Sequence, residues 1–287
     1  MKLGLFATFM SPLADRLMIR DFAQRCEAIG VESIWMGEHV VLFDETEHPY
    51  PGSAKGKLPV PDGGGLLDTV ATFGYLAGLT ETLRFGTGIS LISQRNPLYT
   101  AKEFATLDWL TGGRIDFGVG VGWCKEEVLA SGYSWEDRGA RSNEFLQLLT
   151  SLWTEPTTTF NGDHFQVGAC HMDPKPLQTP HVPIIVGGHS RAALQRAARY
   201  GNGWYGFQLD PAGAAPIIDT LRQMLADHGR KADEFEFVIT PNHADAETVA
   251  AFAQLGVQRL VLHLGSQKPA AIDHRLDEIQ TLIQAIS

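Results

Sequence analysis

The feature that most constrains this chain is a rhythm. A short β-rich run, a turn and a helical pattern follow one another eight times. The runs fall at 3–9, 32–36, 83–92, 114–120, 183–186, 203–207, 234–240 and 258–264. After the first, Ile19, Phe22, Ala23, Cys26 and Ile29 repeat at helical spacing, and Gly30 is a stop signal. Asn96-Pro97 opens the third helix as N-cap and first-turn proline, and Gly112-Gly113 closes it. Ser190 and Asp245 are further N-caps. Strict alternation predicts a parallel sheet, and eight repeats favour closure into a (β/α)8 TIM barrel over a doubly wound sheet. The segments 182–186 and 259–262 are almost continuously apolar, as strands covered on both faces should be. With 287 residues and no linker, the chain reads as a single α/β domain, 1–287. Two excursions interrupt the rhythm, after strand 2 (43–65) and before strand 5 (157–182). The first, rich in Pro and Gly, is the expected lid; the second carries Phe160-Asn161-Gly162-Asp163, a hairpin turn.

Charge and cysteine content exclude several classes. A formal net charge of −10 with scattered Lys and Arg carries no footprint for nucleic acid. No apolar run approaches the ~20 residues of a membrane helix. The short apolar start 1–6 reads as a first strand and not as a signal peptide. Cys26, Cys124 and Cys170 lack disulfide or zinc spacing, so a cytoplasmic location is expected.

In such a barrel the chemistry lies at the C-terminal ends of the strands. Strand 2 is followed by Gly37-Glu38-His39. A neutral imidazole there can donate a hydrogen bond or act as general acid or base near pH 7. Glu38 is the carboxylate placed beside it, and the two form the expected catalytic pair. Metal binding by these two with His48 or His189 lacks a helical H-x-x-x-H spacing. Gly187-Gly188, just before the cap Ser190, makes either an anion site at a helix N-terminus or a tight turn needing positive φ. The run Gly118-Val119-Gly120-Val121-Gly122 lacks the spacing and the following acid of a dinucleotide fingerprint, which argues against a Rossmann NAD site. It leaves close approach of backbone to a flat ring or phosphate open at Gly120 and Gly122. Trp35, Trp123, Trp204, Tyr205 and Phe207 supply aromatic walls or core.

An ordered set of motifs then resembles one family. It runs from Ala28-Ile29-Gly30-Val31-Glu32-Ser33-Ile34-Trp35-Met36-Gly37-Glu38-His39 through Leu83-Arg84-Phe85-Gly86-Thr87-Gly88, Arg95-Asn96-Pro97 and Gly112-Gly113-Arg114. It continues with Gly118 to Trp123, Glu126 or Glu127 after it, Pro174-Lys175-Pro176, Pro183 to Gly188 and Gly201-Asn202-Gly203-Trp204. This pattern is similar to the bacterial luciferase-like monooxygenase superfamily, and to its branch of probable F420-dependent oxidoreductases. The resemblance implies hydride transfer between coenzyme F420 and a small organic substrate. The alternatives are an FMN-dependent monooxygenase using reduced flavin and oxygen, and a non-catalytic flavin-binding protein. It implies that His39 lies beside the cofactor ring. Residues Gly88, Ile89 and Ser90 would sit against the ring through a bulge or a non-proline cis peptide. Gly187, Gly188 and Ser190 would meet the phosphate. Phe6, Trp35, Asn96, Gly120, Gly122 and Trp123 complete the expected cofactor contacts. Lys55, Lys57 and Arg95 are the cations available to an F420 tail. A homodimer is expected, as is a reductase that supplies reduced flavin or F420.

Overall fold

The computed structural model describes residues 1–286. Strand β1 (Lys2–Phe6) lies between β2 (Ser33–Met36) and the last strand, β11 (Arg259–His263), with Leu5 opposite both Ile34 and Leu262. β3 (Arg84–Thr87) pairs with β2 and with β5 (Ile115–Gly120), and β4 (Ser90–Leu91) adds to β5 further along. β8 (Ile184–Gly187), β9 (Gly203–Leu209) and β10 (Glu236–Pro241) carry the ring back to β11. Every pairing in the ring is parallel, and the result is a closed (β/α)8 barrel. The run at 83–92, read as one strand, is two, β3 and β4; Gly88–Ile89 between them is a non-proline cis peptide, one of the two forms the resemblance implies there.

Helices α1 (Arg16–Ala28), α2 (Thr69–Ala77), α3 (Pro97–Thr111), α5 (Arg138–Thr154), α6 (Arg191–Tyr200), α7 (Pro211–Asp227), α8 (Ala246–Gln254) and α9 (Pro269–Ile286) surround the ring; α4 (Lys125–Ala130) is a short extra turn after β5. Most begin on a side chain that can accept from free first-turn N–H groups: Asp15, Asp68, Asn96, Ser190, Asp210 and Asp245 all do so. Among the described residues no helix is long and apolar enough to cross a membrane.

Strand alternation sorts the core into two. Leu3, Leu5, Ile34, Phe85, Phe117 and Ile184 face the helices, whereas Trp35, Ile185, Tyr205, Val238 and Val261 fill the barrel. The Trp35 indole stacks on Tyr205, centroids 5.3 Å apart, and takes up the space that glycines on neighbouring strands leave. A Cβ on Gly86 would overlap the indole itself. Beneath it the N-terminal end of the barrel is closed by ions. Arg259 is bonded to Asp116 (2.9 Å) and Glu32 (3.1 Å) and lies 3.3 Å from Glu236, while Arg84 makes a two-pronged contact with Asp116 (2.9 and 3.0 Å).

Both excursions are present. Residues 155–183 include the antiparallel hairpin β6 (Thr158–Asn161) and β7 (Gln166–Cys170), whose turn is held by Glu144 of α5 accepting from the N–H groups of Asp163, His164 and Phe165. Residues 37–68 cross the C-terminal mouth of the barrel and are tied to α4: Lys125 pairs with Glu47 at 2.6 Å, and the Glu47 N–H donates to Glu126.

Candidate active site

A cavity of about 870 Å³ opens at the C-terminal ends of the strands. Its barrel wall carries Phe6, Gly88, Ile89, Gly122, Trp123 and Tyr205. The excursion after β2 contributes Tyr50, Gly52, Leu58 and Pro59 over it. That excursion is clasped from β9: Gln208, in the left-handed region at φ +55°, donates from Nε2 to the Gly52 carbonyl at 3.3 Å. A non-glycine residue in that region is strained and is retained where surrounding contacts fix it.

His39 sits one residue past Glu38 at the end of the β2 turn, with a tenth of its side chain exposed. Its Nδ1 lies 2.8 Å from Glu127 Oε2, and the Trp123 indole N–H donates to its Nε2 at 3.4 Å. These partners assign the proton to Nδ1 and leave Nε2 with its lone pair. Glu127 is wholly buried. Burial alone would raise its carboxyl, but the hydrogen bonds from His39, the Val40 N–H and Gln94 more than offset this and hold it below its ordinary value. A buried, ionised carboxylate thus orients the imidazole.

Glu38 has a different place. Its carboxylate accepts from Ser90 Oγ (2.7 Å), the Leu91 N–H (3.2 Å) and Arg95 Nε (2.9 and 3.0 Å). Both oxygens are engaged, so it anchors the segment after Gly88–Ile89 and is not a free acid or base. The carboxylate that sequence reasoning did not assign a role is Glu127. The available signal was its position: the first turn of a helix starting five residues after β5 ends must lie at the barrel mouth.

Of the expected cofactor contacts, Phe6, Gly88, Ile89, Gly122, Trp123, Gly187, Gly188 and Ser190 line the cavity together with His39 and Glu38. Four others lie elsewhere. Trp35 is fully buried beneath Tyr205. Ser90 is buried and spent on Glu38. Gly120 lies under the Ile89 side chain. Asn96 is exposed and caps α3 through Leu98 and Tyr99. Arg95, expected for an anionic tail, is instead committed to Glu38 and Glu103, both at 2.9 Å. His189, which accepts from the Phe207 N–H at 3.1 Å, is held below the ordinary imidazole range by burial.

The far end of the cavity fits a phosphate. Gly188 has φ +113°, where only glycine is at ease, and a Cβ on it would press to 3.1 Å from Ala193. A Cβ on Gly187 would reach 2.9 Å from Ile89. One turn into α6, Arg196 is 6% exposed and bonded only to Asn143 Oδ1 (2.8 Å) and the Gly139 carbonyl (3.0 Å). No carboxylate among the described residues pairs with it. A buried guanidinium without a counter-charge, on the cavity wall with the Gly188–Ser190 turn, is compatible with an anion there.

The family model of luciferase-like monooxygenases matches residues 1–261. The chain belongs to that family. Its members are oxidoreductases and monooxygenases, and this chain is an enzyme of the same kind. An uncharacterized protein of Mycobacterium tuberculosis is 27% identical over 278 residues, 96% of this chain and 94% of that protein. The FMNH(2)-dependent dimethylsulfone monooxygenase of Pseudomonas putida is 36% identical over 157 residues, 54% of this chain and 43% of that enzyme. Among solved structures, an F420-dependent secondary alcohol dehydrogenase superposes with TM-score 0.80 at 19% identity, covering 100% of this chain and 99% of that one.

Proposed function

We propose that this luciferase-like enzyme exchanges a hydride between coenzyme F420 and a small hydroxyl or carbonyl compound. The observation that carries the reading is the His39–Glu127 pair, with Nδ1 bonded to the carboxylate at 2.8 Å and Nε2 left as an acceptor at the cavity wall. Oxidation of an alcohol removes a proton from oxygen as well as a hydride from carbon, and His39 Nε2 is the group to take that proton. A bound deazaflavin would supply the hydride acceptor. Glu127 fixes the tautomer and stabilises the imidazolium once formed. Glu38, through Ser90 and Leu91, positions the segment carrying Gly88 and Ile89. The Gly188–Ser190 turn and Arg196 would hold the phosphate, and Tyr50, Leu58 and Pro59 would exclude water from above. A homodimer belongs to the same reading, and an outside supply of reduced cofactor belongs to its carbonyl-reducing direction.

A second reading, a monooxygenase using reduced FMN and oxygen, is favoured by the 36% identical stretch shared with the dimethylsulfone enzyme. A non-catalytic flavin-binding protein would leave the buried dyad without work. The discriminating experiment is turnover of F420 with a panel of secondary alcohols, run beside an oxygen electrode. Bleaching of the oxidised deazaflavin without oxygen uptake is the expected result. Oxygen uptake with reduced FMN, and no bleaching of F420, would replace this reading by the second.

A further inference from the structure

We infer that His263 contacts the substrate and sets its specificity, and that the substrate is a neutral, largely apolar alcohol or ketone carrying a second hydrogen-bonding oxygen for that imidazole to meet. The inference rests on the F420 reading above, in which His263 has no part.

His263 ends β11 and stands opposite Phe6 of β1 in the register, while His39 follows β2 on the other side of β1. The two imidazoles thus flank Phe6 on the cavity wall. The Gly188 turn and the Gly88–Ile89 segment follow β8 and β3, elsewhere in the ring. The wall from β9 through β11 to β1 is left for the substrate, and Phe207, His263, Leu264 and Met10 lie on it.

The two histidines are held differently. Glu127 fixes the tautomer of His39. The His263 ring stands edge-on to Phe6 and to Phe207, each at 5.4 Å, and its backbone carbonyl accepts from Arg275 Nε at 3.0 Å. Among the described residues its imidazole makes no hydrogen bond, and Nε2 is buried without a partner. Burial, and after it the Arg275 charge, hold the ring below the ordinary imidazole range, so it is neutral at pH 7. A neutral imidazole has one N–H and one lone pair. With neither committed, it can donate to an entering oxygen or accept from it. A buried polar group without a partner is costly and uncommon in a folded protein, and on a cavity wall a ligand can supply the partner. Its neighbours are already spent. Gln267 donates to the Thr8 carbonyl (2.7 Å) and accepts from the Met10 N–H (3.1 Å), and the Tyr205 hydroxyl is bonded to Thr240 (2.6 Å).

The same wall disfavours a charged substrate. Histidines aside, the acidic and basic side chains lining the cavity among the described residues are Glu38 and Arg196. Glu38 is engaged by Ser90, Leu91 and Arg95, and Arg196 stands at the phosphate end. A carboxylate on the substrate would enter beside Phe6, Phe207 and a neutral imidazole with no counter-charge, at the desolvation cost of an unpaired ion.

The test is steady-state reduction of F420 by the purified full chain with matched six-carbon alcohols: 2-hexanol, the 2,3-, 2,4- and 2,5-hexanediols, and 5-hydroxyhexanoate. At least one diol is expected to exceed 2-hexanol in kcat/KM by about three- to tenfold, the range of one neutral hydrogen bond, through a lower KM. The hydroxy acid is expected to be the poorest. His263→Phe keeps a ring between Phe6 and Phe207 and should bring the diol-to-hexanol ratio to about one. His263→Gln keeps a donor and an acceptor and should restore part of the preference. A fluorescence titration with F420 checks that each variant is folded and binds cofactor. Equal kcat/KM for 2-hexanol and every diol in the wild type, an unchanged ratio in His263→Phe, or a preference for the hydroxy acid would overturn the inference and leave the F420 reading intact. Bleaching of F420 with none of these alcohols would overturn both.

Discussion

The two ends of the barrel contain the same kinds of side chain and treat them in opposite ways. At the N-terminal end, Arg259, Arg84 and Lys2 face Asp116, Glu32 and Glu236. Not every atom is satisfied, since Arg259 Nε and Glu32 Oε2 lack hydrogen bonds, but every charge has an opposite neighbour. At the C-terminal end Glu38 and Glu103 are paired with Arg95, but among the described residues Arg196 has no carboxylate partner and His263 Nε2 is buried without a hydrogen bond, while His39 faces the cavity. Paired charges close the barrel at one end; at the other, a guanidinium without a counter-charge and imidazoles lining a cavity are suited to a ligand that completes them. Stability should therefore be lost at one end and chemistry at the other.

The largest stability effect is expected from Arg259→Ala, which leaves Asp116, Glu32 and Glu236 together at the barrel end without the cation they share. A loss of about 3–5 kcal/mol, seen as a Tm lower by roughly 10 °C, is expected by calorimetry, with little change in the cofactor affinity of the folded protein. A Tm unchanged from wild type would mean that the plug is ornamental. At the other end, His39→Ala should lower kcat by roughly 10²–10⁴ while Tm and cofactor affinity stay near wild type. Glu127→Gln should follow with a smaller loss, because the imidazole remains but its orienting charge is gone. If Glu127→Gln were as active as wild type, the dyad would not be the working pair.

Acid sharpens the comparison further. Asp116 is pulled below its ordinary value, since Arg259 and Arg84 outweigh the opposing effect of burial, and Glu127 is likewise lowered. A carboxyl depressed in the fold adds stability above its unfolded pKa and loses it as pH falls through the folded one. Both ends should thus loosen together below the ordinary carboxylate range. Glu236 has the opposite sign. Burial raises it despite the nearby Arg259, so its ionised form costs stability at neutral pH. Glu236→Gln is therefore the mildest change, neutral or stabilising by under ~1 kcal/mol in a denaturant titration at pH 7.

The barrel was legible because it is written locally. Strand and helix periodicities, Ser190 and Asp245 as caps, and the residues just past each strand all follow from short stretches of chain. The site was legible only where a residue's direction follows from its strand: Phe6, His39 and Gly188 reach the cavity as expected. Trp35 does not, because it fills the barrel beneath Tyr205. Asn96 and Ser90 were lost to local duties, one as a helix cap and the other as a donor to Glu38. Glu127 and Arg196 gain their meaning from contacts 88 and 53 residues away in sequence, which no local pattern encodes. Arg95 shows the converse: an available cation in the sequence is already paired in the fold.

The most direct test of the account is a competition titration of the wild-type protein with F420 and FMN, each followed by fluorescence. Micromolar binding of F420, not displaced by equimolar FMN, is the predicted result. Tight binding of FMN alone would contradict it and make the mouth of this barrel a flavin monooxygenase site.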